Sequence, residues 1–258
     1  MCLRVFRQTI VMNLIPYDMK LTKAKKEMMY RIEKVFLSIA VVMLMYSCSS
    51  SRMLVSSVRP YEISELAYFE PQSYIWYIKK GNKAEYSDSL SSITEERIDS
   101  SLSLFHNELH ISEAIYIEDS ILNKKVEDEI NTMIQFIIRD QQIGNLQLLP
   151  LVDSVMEAHG QRFALAVVAN GFGRRAGNYA GQVAKGVGVG LLTLGMYVPT
   201  PVKSKISLYG VIFDSQKNEV SFYRRTRPVE KEPAEQAVID SQVRKLFDGY
   251  FFVNNTTY

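Results

Sequence analysis

Seven consecutive apolar residues, Phe163 to Ala169 in the run RFALAVVAN, set the strongest constraint on how this chain folds. A strand with one wet face alternates apolar and polar residues, whereas a short unbroken apolar run suits a strand buried on both faces. Such a strand must be central, with cover above and below it. The rest of the sequence supplies that cover.

Glu65 to Phe69 and Ser73 to Lys80 read as strands from their Tyr, Ile and Trp content, and Gly81-Asn82 offers a tight turn into Lys83 to Ser87. A helix follows from Ser92 or Thr94, with Glu95 placed three after Ser92 as in a capping box, and Ile98, Leu102, Phe105 and Leu109 on one face. Ile111 to Ile117 reads as a strand. A second helix starts at Asp119 or Ser120, carries the stripe Leu122, Val126, Ile130, Met133, Ile134, Ile137 and Ile138, and stops by Gly144. Pro150 to His159 is a short helix closed by Gly160. Ser204 to Asp214 and Glu219 to Arg225 form an antiparallel pair about Ser215 to Asn218, and a last helix from about Pro233 buries Ile239, Val243, Leu246, Phe247 and Tyr250. This order predicts an α/β or α+β fold: a single mixed sheet with about three packed helices, and a C-terminal β-hairpin followed by a helix.

The N-terminal part is different. Residues 1–47 hold 8 of the 30 basic and 3 of the 28 acidic residues, so the remainder carries a net charge of −3. Without a concentrated cationic footprint, nucleic acid is not expected as a partner. Arg31 to Lys34 are followed by the apolar stretch VFLSIAVVMLMY over Val35 to Tyr46, which falls short of the roughly 20 residues that a membrane-spanning helix needs. The stretch ends at Leu44-Met45-Tyr46-Ser47-Cys48 and passes into Ser49, Ser50 and Ser51.

This segment resembles the lipobox of bacterial lipoproteins: apolar residues, a small residue, then cysteine. The resemblance implies that the Cys48 thiol receives a diacylglyceryl group, that cleavage falls just before it, and that its new amine is acylated. It places the protein in the cell envelope, anchored by acyl chains such as palmitate, on the outer membrane facing the periplasm. The other reading is a short signal anchor or a buried apolar strand with an incidental cysteine. Residues 28–47 are then the signal peptide, residues 1–27 an over-called start ahead of Met28 or Met29, residues 48–60 a Ser-rich tether, and residues 61–258 the globular domain with a Gly-rich insertion at 171–201.

A second resemblance covers residues 61 to 252. The order of elements, the run Phe163 to Ala169, and the hairpin SKISLYGVIFDSQKNEVSFYRR with Asp214 leading its turn look like small envelope lipoproteins. That fold group includes penicillin-binding-protein activators, curli-secretion lipoproteins and auxiliary lipoproteins of ABC exporters. It implies action by docking onto partners, and fold alone does not assign chemistry.

Few residues suggest chemistry. Gly171-Phe172-Gly173-Arg174-Arg175-Ala176 fits G-x-G-x-x-A, but residues 176–202 contain no Asp or Glu to complete a dinucleotide site, so it reads as a Gly-rich loop. Gly177, Gly181, Gly186, Gly188, Gly190 and Gly195 make the next stretch a loop, a partner or oligomer surface, or a membrane-touching insertion. His106 and His110 stand four apart without the Glu of H-E-x-x-H and read as surface histidines. The other two chemical features are Tyr74, Trp76 and Tyr77, suited to a half-buried sheet face or to stacking, and Glu62, Glu65 and Glu70, which near Trp76 would suit a glycan or peptide hydrolase. No metal, cofactor or catalytic residue is assigned. The sequence points to a non-enzymatic binding or assembly role with an envelope protein partner or a second copy. Its alternatives are a hydrolase and a Gly-rich membrane-inserting assembly.

Overall fold

The computed structural model describes residues 52–79, 83–144, 146–174 and 203–252. Eight strands form one mixed sheet: β1 (Met53–Val55), β2 (Leu66–Phe69), β3 (Gln72–Ile78), β4 (Ala84–Tyr86), β5 (Ile111–Ile115), β6 (Phe163–Arg174), β7 (Lys205–Asp214) and β8 (Glu219–Arg225). Among the described residues the α-helices are α1 (Asp88–Leu104), the single turn α2 (His106–Leu109), α3 (Ser120–Asp140), α4 (Pro150–Ala158) and α5 (Gln236–Phe247).

The predicted central strand is β6. It pairs antiparallel with β7 along one edge and parallel with β2 and then β3 along the other. β2 aligns Ala67 with Ala164, while β3 aligns Gln72 with Val168, a slip of one residue that falls at Glu70-Pro71. Pro71 has no N–H to give to a ladder, which fits a break there. β5 then lies outside β2, β4 outside β3, and β8 and β1 beyond β7.

Alternation along β6 separates two cores. Leu165, Val167 and Ala169 meet Ile98 and Leu102 of α1 and Ile239, Val243 and Leu246 of α5. Ala164, Ala166 and Val168 share the second core with Val126, Ile130 and Met133 of α3 and Val152 and Met156 of α4. Helices on both faces therefore explain why the run carries no polar residue.

Among the described residues, four helices of nine residues or more stand on the sheet, and Pro150–Ala158 is the short one read from the sequence. Ser87 rather than Ser92 or Thr94 caps α1, its hydroxyl accepting from the Leu90 N–H, so Ser92 and Glu95 lie inside the helix. Asp119 caps α3 as expected, accepting from the N–H groups of Ile121 and Leu122. That helix stops at Gln141, left-handed at φ 54°, before Gly144 is reached. Gly160 follows α4 at φ 66°.

The sheet begins before Tyr61. β1 pairs antiparallel with β8, Val58 is fully buried, and the Tyr250 hydroxyl donates to the Val58 carbonyl at 3.3 Å. Residues 53–58, expected within the tether, thus belong to the domain. At the far end of the hairpin, Arg162 donates through Nε and Nη2 to the fully buried Asp214 carboxylate at 3.2 and 3.1 Å. The Lys217 N–H also donates to that carboxylate, tying the β7–β8 turn to the start of β6.

Candidate functional site

β6 continues as a strand through the predicted Gly-rich loop as far as Arg174, so Gly171 and Gly173 lie within a ladder and not in a turn that opens a helix. This geometry removes the dinucleotide reading, which needs amides of a turn aimed at a pyrophosphate. Gly171 has a packing reason instead. A Cβ there would collide with the Lys205 carbonyl oxygen and lie 3.1 Å from the Ile206 Cα.

The extension carries a row of side chains across four strands. Tyr86 of β4 stands opposite Trp76 of β3, Trp76 opposite Phe172 of β6, and Phe172 opposite Lys205 of β7. Residues two apart on a strand share a face, so Tyr74 and Tyr209 lie on this side, with Arg225 of β8 opposite Tyr209. The Trp76 and Tyr86 rings meet edge to face at 6.2 Å, and the Arg225 guanidinium sits 5.1 Å above the Tyr209 ring. Trp76 and Tyr86 are each 46% exposed. Helix α3 reaches only the lower margin of this face, where the Asn131 amide donates to Gln72 Oε1 and the Tyr74 hydroxyl at 2.8 Å.

An open cavity of about 380 Å³ lies on this face, walled by Trp76, Asn170, Phe172, Lys205, Arg225 and Pro228 among others. Its charged lining is cationic. Nearby, burial pushes the Tyr223 phenol up to about 12, its proximity to Tyr209 adds to that, and Arg225 opposes it. Burial also raises Tyr74, against the pull of Lys124 and the Asn131 amide. These phenols are neutral hydrogen-bonding groups at physiological pH. The arrangement can stack flat apolar groups and hold anions.

The carboxylates considered for hydrolysis are elsewhere. Glu62 accepts the Arg59 N–H at 3.0 Å beside the start of the fold, Glu65 is exposed before β2, and Glu70 sits at the β2–β3 break; none lines the cavity beside Trp76. Burial raises Glu95 against the opposing Ser73 backbone, and Glu127 and then Glu70 add to the rise. Tyr77 points to the other face of β3, within 3.7 Å of where a Gly173 Cβ would stand, and so separates from Tyr74 and Trp76.

The histidines do not converge. His106 belongs to α2 and its Nδ1 bonds the Ser103 carbonyl, whereas His110 is the left-handed cap of that turn and bonds the Ile63 carbonyl at 2.6 Å. His159 bonds the Val155 carbonyl. Among the described residues no group of three or more His, Cys, Asp or Glu side chains is placed to hold a metal ion. Cys48 and Gly177, Gly181, Gly186, Gly188, Gly190 and Gly195 lie outside the described residues. Sequence reasoning missed Phe172, Lys205 and Arg225 as companions of Trp76. The alternation of Lys205, Ser207 and Tyr209 with Ile206 and Leu208 was the available signal.

No known protein family and no curated protein matches the chain. Among solved structures it is similar to the PelC dodecamer protein from Paraburkholderia phytofirmans, at 8% identity and a TM-score of 0.36, covering 77% of this chain and 96% of that one. It is also similar to the LpoB C-terminal domain from Salmonella enterica, at 7% identity and a TM-score of 0.29, covering 69% and 88%. A DUF4136 family protein from Bacteroides thetaiotaomicron is similar at 8% identity and a TM-score of 0.32, covering 80% and 98%.

Proposed function

We propose that this protein is a lipid-anchored envelope protein, acylated on Cys48 at the outer membrane and facing the periplasm, which acts by docking and not by turning over a substrate. The observation that carries the docking role is the row Tyr86, Trp76, Phe172 and Lys205 across four adjacent strands, in which Tyr86, Trp76 and Lys205 are exposed and Phe172 is half-buried. Exposed aromatic groups of this kind are depleted on ordinary surfaces and concentrated where another body is held. The anchoring half rests on the sequence ending in Ser47-Cys48. Hydrolysis by Glu62, Glu65 or Glu70 gains no support from a cavity walled by Lys205 and Arg225. Assembly with an envelope protein or a second copy through Gly177 to Gly195 remains compatible with this role.

The test is chemical crosslinking in intact cells from a photoreactive group at position 86, beside Trp76, in the lipidated chain. A crosslinked product that disappears in Trp76→Ser, with Cys48 still acylated, is expected. A crosslinking pattern unchanged by Trp76→Ser would refute docking at this face.

A further inference from the structure

β1 is antiparallel to β8, and β8 to β7, so β1 and β7 run in the same direction and both begin at the end of the sheet that carries Lys205. Arg52, just before Met53, therefore lies on the side of Met53 nearer the end that holds the Trp76 row. Through the ladders, Met53 stands level with Arg224, Gly210 and Val167, which puts Arg52 level with Val168, four residues below Phe172. At strand spacing those four residues measure about 13 Å.

The chemistry at that end matches a bilayer surface. Arg52, Lys205, Arg225 and Arg227 are exposed, and among the described residues none of them forms an ion pair. Two acids of the same end are matched, Glu85 with Lys79 and Glu232 with Lys203, while Asp88, Glu230 and Glu235 are exposed with no ion pair among the described residues. Trp and Tyr side chains favour the headgroup region, and clustered Lys and Arg attract anionic lipid. From charge and aromatic exposure together we infer that the Trp76 face rests on the anionic surface of the membrane that holds the Cys48 acyl chains, so that the lipid headgroups are its docking partner. This inference rests on the lipid-anchored reading above.

Trp76 is the only tryptophan of the chain, which makes its fluorescence a direct reporter. The lipidated protein is reconstituted into phosphatidylcholine vesicles, with or without phosphatidylglycerol, and quenching by lipids brominated on their acyl chains is recorded. Mass spectrometry of the same sample reads the state of Cys48. With Cys48 acylated, deeper quenching and a shift of emission to shorter wavelength are expected in the phosphatidylglycerol vesicles. High salt should suppress that increment in the unaltered protein, and Lys205→Glu with Arg225→Glu should remove it. Acylated Cys48 with Trp76 unquenched in both vesicles would overturn the inference alone and leave the face to a protein partner. Equal quenching in the two vesicles would also overturn it, because anionic headgroups are required. An unmodified Cys48 would overturn the anchored reading, and this inference with it.

Discussion

Gly171 and the Lys205 carbonyl approach so closely between β6 and β7 that no side chain fits between them. That contact sets Phe172 and Lys205 side by side in the exposed row. Gly171→Ala must push the two strands apart, at a cost of about 3 kcal/mol by analogy with overpacked cores. Gly144→Ala, where an added Cβ meets nothing within 4 Å, should stay within about 0.5 kcal/mol of the parent. Urea unfolding of both variants checks the contrast.

Val58 tests where the domain begins. Its side chain is fully buried in the core beneath α1 and α5. Val58→Ala is expected to lower stability by about 2 kcal/mol, in the range for deleting buried methyl groups. A substitution in an unpacked tether would change nothing, so thermal or urea unfolding separates the two.

The phenols of Tyr223 and Tyr250 are each pushed up to about 12, mainly by burial. Above the ordinary value of 10.0 the unfolded chain loses these protons while the folded one keeps them. The folded state then binds more protons than the unfolded, so stability falls as pH rises from about 10 to 12 and is unaffected by these groups below that window. Unfolding free energies measured across alkaline pH should show this decline, and Tyr223→Phe should make it shallower. The same slope in Tyr223→Phe would assign the decline to other groups.

The legible parts of the fold were those in which one segment carries its own pattern. Phe163 to Ala169 announces burial on two faces, and the stripe from Val126 to Ile137 announces α3. The missed parts depend on distant partners or on equivalent local choices. Met53 to Val55 is too short to read as a strand until β8 is beside it. Ser87, Ser89, Ser91 and Ser92 offer several caps of one chemistry, and the tertiary placement of α1 chose the first. Trp76 was visible as an aromatic residue, but its cationic neighbours Lys205 and Arg225 come from strands more than a hundred residues away. Only the register of β6, β7 and β8 brings them together.

Cys48 carries the proposed anchor. The decisive measurement is the mass of the mature N-terminal peptide, taken from protein extracted from the membrane fraction. A chain that begins at Cys48 and carries a diacylglyceryl group and an amide-linked acyl chain is expected, with both lost in Cys48→Ala. An unmodified Cys48 within a longer, uncleaved chain would contradict it.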